Sequence, residues 1–151
     1  MPGKTSSSFG RIIIKNIMKK YEFTGETKVV DGITLNRIRA IRDFGNVKAG
    51  DIGGWIAKEE NLSHEGEAEV CGSAEVCGEA KVTVISDYIV FKNWWSSGRY
   101  FTWTRSNDMW RVGCFYGTGE ELIKKAYEDS EISGREYERI VKYVESIQQE
   151  Q

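Results

Sequence analysis

The chain has 151 residues, among them sixteen glycines and one proline, with 40% hydrophobic residues, 29% charged residues and a formal net charge of −2. That apolar content can build a packed core and excludes wholesale disorder, and glycine without a Gly-X-Y period excludes collagen. Three cysteines, odd in number and sparse, exclude a disulfide framework and fit a reducing compartment.

Residues 1–18 read as a flexible or variable N-terminal extension. Ile12-Ile13-Ile14 is flanked by Lys15, Lys19 and Lys20, too short an apolar run for a signal-peptide core or a membrane span. The expectation is a soluble, cytoplasmic protein without a membrane partner. Charge is unevenly placed along the chain. Residues 1–58 hold eleven Lys/Arg against five Asp/Glu, whereas residues 59–79 hold seven glutamates and no Lys/Arg. Such blocks are either solvated faces that complement their neighbours or a means of focusing an anionic partner.

Residues 19–51 read as an N-terminal β hairpin that caps the segment after it. Asp31-Gly32 stands between Lys28-Val29-Val30 and Ile33-Thr34-Leu35, a type I′ turn signal. The apolar phase changes between Leu35 and Ile38, which predicts a bulge or bend. Arg37, Arg39 and Arg42 form the densest arginine cluster in the chain. Arg37 and Arg39 share a strand face by the period of two and are candidates to clamp a phosphate or carboxylate. The alternative is a solvated face ion-paired to the acidic middle.

Residues 52–87 carry a six-residue repeat. From His64 the chain reads HEGEAE, VCGSAE, VCGEAK, and the phase extends back to Ile52 and on to Asp87. Neither a helix, with a period near 3.6, nor a plain strand, with a period of 2, explains a glycine at every sixth place. Short strands joined by turns do, three turns closing a triangular coil. Val70, Val76 and Val82 are then inward. Ala68, Ala74 and Ala80 let the walls approach, and Gly66, Gly72 and Gly78 take the turns. Cys71 and Cys77 fall on consecutive, diverging units and read as semi-exposed, while Cys114 reads as a buried strand cysteine.

Residues 88–151 hold four of the five tryptophans and two helical patterns. Ile89–Phe91, Arg99–Arg105 and Met109–Tyr116 are spaced for a three-stranded meander. Its tryptophans, Trp94, Trp95, Trp103 and Trp110, are either core or a binding floor for a planar ligand, with Arg99, Arg105 and Arg111 available for its anionic groups. Thr118 and Glu121 form a capping box ahead of one helix. Ser133-Gly134-Arg135-Glu136 repeats the device for a second helix, whose apolar stripe runs through Tyr137, Ile140, Val141, Val144 and Ile147.

The hexads resemble the hexapeptide-repeat left-handed β-helix found in bacterial acyltransferases. The order Tyr21–Glu26, Leu35–Ala40, Asp51–Ile56, then hexads, resembles an uncharacterised family of bacteriophage and prophage proteins. The segment Val112–Leu122 with Glu136-Tyr137 is similar to a second module of the same proteins. The resemblance implies a mainly β fold with C-terminal helices (α+β). In it a short left-handed hexapeptide β-helix of about two coils is flanked by the N-terminal hairpin and by an antiparallel sheet covered by two helices. Two coils bury little by themselves, so a homo-oligomer, a trimer in particular, is expected.

For function, the phage resemblance carries no biochemistry of its own; taken with the chemistry of the arginines and the tryptophan-rich sheet, the expectation is a non-enzymatic phage accessory protein in the cytoplasm of the infected bacterial host. It would counter host defence by sequestering an anionic, nucleotide-like ligand or by binding a defence protein. The alternatives are a structural oligomerisation module of a phage particle and a hexapeptide-repeat acyltransferase. The last would need His64, the lone histidine, as general base. No Ser-His-Asp set, HExxH motif or phosphate loop accompanies it, so no catalytic residue, metal ligand or cofactor is assigned.

Overall fold

Asp31-Gly32 turns the chain as its residue types require. Both residues adopt left-handed backbone, with φ of 51° and 77°, and Val30 pairs with Ile33 across the turn. The strands it joins, β1 (Tyr21–Val30) and β2 (Ile33–Ala40), open a computed structural model that describes residues 19–150. The expected extension, residues 1–18, lies outside the described residues. Strands β3 (Ile52–Ile56) and β4 (Glu75–Val76) complete a first sheet in the order β1-β2-β3-β4. The pairing is antiparallel except between β3 and β4, where Trp55 lies opposite Glu75 and Ile56 opposite Val76 in parallel. The phase change expected in β2 is present as a register shift against β3 between Arg37 and Arg39, and a second shift breaks β1 between Phe23 and Thr27.

The structure overturns the hexapeptide β-helix. Residues 52–87 contain β3, the two-residue β4, two short 3-10 turns and irregular chain, and both sheets of the molecule are open rather than curled into a closed coil. The fold is mixed α+β with two four-stranded sheets and C-terminal helices. The physical source of the six-residue period is one-sided burial. Gly66, Gly72 and Gly78 do turn the chain with positive φ. Ala68, Val70, Ala74, Val76, Ala80 and Val82 are all buried, but they pack onto Tyr21, Ile38, Ile56 and Leu62, with Tyr88 and Val90 beside them. The repeat thus covers one face of the hairpin sheet; it does not fill a prism of its own.

The buried Asn61 holds this irregular segment. Its Oδ1 accepts from the backbone of Ala57 and Lys58, and its Nδ2 donates to the carbonyls of Gly78 and Ala80. All the bonding capacity of the amide is used inside the protein.

The second sheet is a four-stranded meander, β5 (Tyr88–Lys92), β6 (Tyr100–Thr104), β7 (Met109–Val112) and β8 (Phe115–Gly117). One more strand than expected arises because Gly113-Cys114 is a two-residue turn, with Val112 paired to Phe115. Cys114 is accordingly exposed and Cys77 buried, the reverse of the sequence reading; Cys71 is exposed. Phe101, Trp103 and Trp110 on one face meet Leu122, Ala126, Tyr137, Val141 and Val144 of α1 (Gly119–Asp129) and α2 (Glu131–Gln149). The Thr118–Glu121 capping box forms at α1. Helix α2 begins earlier than expected, because Ser130 caps it through the backbone of Ser133. The other face of the sheet meets β4, where the backbone N–H of Glu75 donates to Thr102 Oγ1 at 3.1 Å.

Candidate anion site

The hairpin register decides which side chains share the exposed end of the junction between the sheets. A two-residue turn pairs Lys28 with Leu35, and β2 then pairs Arg37 with Trp55. Paired residues share a face, so Lys28, Arg37 and Trp55 stand on the same side of the first sheet. The turn between β5 and β6 brings Arg99 and Tyr100 to them. Asn93, buried beneath that turn, pins it: its Oδ1 accepts from the N–H and hydroxyl of Ser96, its backbone N–H donates to the Arg99 carbonyl, and its Nδ2 donates to Tyr137. Together with Gly72, Ser73 and Glu75 these residues line an open groove of about 450 Å³.

Trp55, only 7% exposed, is the floor on which the cations rest. Lys28 Nζ lies 4.3 Å and the Arg37 guanidinium 5.1 Å from its ring centroid. Both cations thus gain cation–π attraction while their charged ends stay accessible. Arg37 Nε donates to the Gly53 carbonyl at 3.1 Å. Lys28 Nζ contacts Glu75 Oε2 at 2.8 Å. Among the described residues neither Arg37 nor Arg99 has a carboxylate partner. Tyr100, half exposed, is the groove's accessible ring.

Beneath the groove lies Arg111, 3% exposed. Its Nη2 donates to the Val30 carbonyl at 2.9 Å and its Nε stands 3.5 Å from Glu75 Oε1. Among the described residues, Nε and Nη1 have no hydrogen-bond acceptor. The same guanidinium lies near the buried Cys77 thiol, whose pKa burial pushes up and Arg111 partly restrains.

Of the arginines and tryptophans singled out in the sequence, the structure brings Arg37 and Arg99 together and puts Arg111 below them. It does not bring Arg39 or Arg42 into the groove. Arg39 pairs with Glu22, and Arg42 donates to the carbonyls of Lys19 and His64. Trp103 and Trp110 are core, and Trp95 packs on Tyr137 and donates to Ser133. Trp94, 71% exposed, stands edge-on to Trp95, and Arg105 donates to Ser86. None of these four tryptophans lines the groove, whose aromatic side chains are Trp55 and Tyr100. Lys28, Trp55, Glu75 and Tyr100 escaped the sequence reading, although the Asp31-Gly32 register was enough to put Lys28 on the face of Arg37.

His64 lies elsewhere, stacked on Tyr21 with ring centroids 4.1 Å apart. Its Nδ1 accepts the backbone N–H of Lys20, so the neutral ring carries its proton on Nε2 and has no lone pair left to act as a base. Burial lowers its pKa below the ordinary value. Among the described residues no cluster of three His, Cys, Asp or Glu side chains could hold a metal ion, and no helix is long and apolar enough to cross a membrane.

No family model matches this chain, and neither a curated protein nor a solved structure matches it. With the open sheets, this overturns the expected kinship to phage proteins and to hexapeptide-repeat acyltransferases. It also removes the basis for expecting a β-helical trimer.

Proposed function

We propose that the protein is a non-enzymatic binder of an anionic, nucleotide-like ligand, held in the groove between Arg37 and Arg99. The observation that carries this reading is that Arg37, on β2, and Arg99, in the β5–β6 turn, line one groove, and among the described residues neither has a carboxylate within ion-pair distance. Paired guanidiniums suit the forked oxygens of a phosphoryl group. Tyr100 offers a ring face for a planar group beside them, and Ser73 a hydroxyl. Trp55 supports the cations from below and is not itself a stacking platform.

Isothermal titration with a nucleoside diphosphate tests the reading, with Arg37→Ala/Arg99→Ala as the paired control. Binding by the wild type that weakens about a hundredfold in the double variant is expected, as two charge-assisted contacts are lost. Equal binding by the two proteins, or none by the wild type, sinks it.

A further inference from the structure

We infer that Glu75 is the specificity-determining residue of the groove: it occupies Lys28 while the site is empty and yields it to a diphosphate group, turning instead to Arg111. The inference rests on the binding reading above and names the chemical class of the anion.

The backbone of Glu75 is fixed by its pairing with Trp55 and its bond to Thr102, so only its side chain has freedom. Its carboxylate is shared unequally. One oxygen is in full contact with Lys28 at 2.8 Å, and the other is stretched to 3.5 Å from Arg111 Nε. Arg111 is the more deeply buried cation and the one short of acceptors, with two guanidinium nitrogens unsatisfied. A buried donor without an acceptor is costly, so the carboxylate has a second, waiting position. Lys28, at the solvent edge, holds it off that position.

A monoanion seated on Arg37 and Arg99 leaves this arrangement intact and lies beside an undisplaced negative charge. A diphosphate has a second phosphoryl group that reaches Lys28 and competes with Glu75 for it. The released carboxylate completes the coordination of Arg111, and the ligand gains a third cation. The groove therefore favours diphosphates over carboxylates by two effects of the same sign.

The test is calorimetric titration of the full chain with inorganic pyrophosphate and, separately, acetate, for wild type, Glu75→Gln, Lys28→Gln and the Arg37→Ala/Arg99→Ala control. Pyrophosphate affinity should fall about tenfold in Lys28→Gln, the loss of one charge-assisted contact, while acetate affinity holds. Glu75→Gln should narrow the preference for pyrophosphate over acetate by raising the acetate affinity. Lys28→Gln binding pyrophosphate as tightly as wild type overturns the inference and leaves the Arg37–Arg99 site standing. Silence of the wild type and of Glu75→Gln toward pyrophosphate overturns both. Wild-type silence with binding restored in Glu75→Gln upholds the competing carboxylate and overturns the resting groove as a binding site. Glu75→Gln strips a buried guanidinium of its counter-charge, and circular dichroism shows whether it folds. Should it not fold, Lys28→Gln decides the matter alone.

Discussion

The backbone N–H of Lys20 donates to Nδ1 of His64 at 3.1 Å, which makes the first residues of the described chain dependent on an uncharged imidazole. Protonation would put a hydrogen on Nδ1 and turn acceptor into donor. Burial holds the folded pKa of His64 below its ordinary 6.5. Between those two values the unfolded chain binds more protons, so stability is fully present above pH 6.5 and is lost as pH falls through the folded value. The urea midpoint should drop on acidification from pH 7 toward pH 5. His64→Ala should flatten that slope; an unchanged slope would contradict the assignment.

Lys20 acts at the other end of the pH scale. Its side chain is buried, with Nζ donating to the Ala68 carbonyl at 2.7 Å and lying over the Phe44 ring. Burial, reinforced by the charge of Arg42, lowers its pKa from 10.5 to about 8. Between these values the unfolded chain holds the extra proton, so stability rises with pH. Tyr21 works the opposite way. Burial raises its hydroxyl pKa above the ordinary 10.0, so above pH 10 the unfolded tyrosine ionises first and stability falls. The urea midpoint should therefore climb from pH 8 and turn over above pH 10, and Lys20→Met should remove the climb.

Asn61→Ala should destabilise the protein by about 2–3 kcal/mol, since it leaves the Lys58 N–H and the Gly78 and Ala80 carbonyls without this partner, while the Ala57 N–H keeps its bond to the Val76 carbonyl. A urea titration reads this directly. A loss within experimental scatter would mean that the irregular hexad segment is held by apolar burial alone.

Gly134→Ala should also destabilise, against its helix propensity. Alanine is ordinarily better than glycine inside a helix by about 1 kcal/mol. Here a Cβ would overlap the ring of Tyr127, which lies directly against Gly134. The expected net loss is about 1–3 kcal/mol, typical of overpacking. Tyr127→Ala should make the same glycine substitution stabilising, which thermal unfolding of the double variant checks.

Local signals in the sequence were the readable ones. Asp31-Gly32 and Thr118 with Glu121 specify their turn and cap because the chemistry is complete within a few residues. The burial of Val70, Val76 and Val82 was readable too, but a period reports which side of a segment is covered and not what covers it. The covering surface comes from Tyr21 and Ile38, some thirty or more residues earlier, and the enclosed coil was a wrong account of a correct alternation. Arg37 and Arg99 stood out by composition, whereas Glu75 was hidden among seven glutamates that looked alike. Its distinction is a parallel pairing with Trp55, a contact twenty residues apart that no local pattern encodes. Arg111 looked like its neighbours Arg99 and Arg105, because charge in a sequence carries no information about depth.

Among the described residues, strand β1 forms the outer edge of the first sheet, ten residues long and paired on one side by β2. A straight strand of that length is a template on which another chain can lengthen the sheet. The register break between Phe23 and Thr27, with Gly25 at φ 94°, interrupts that template near its middle. Glu22 is paired with Arg39 and the strand also carries Lys28, so it is the broken ladder rather than charge that spoils the template. A break at that place disfavours extension of the sheet along this edge by a second chain.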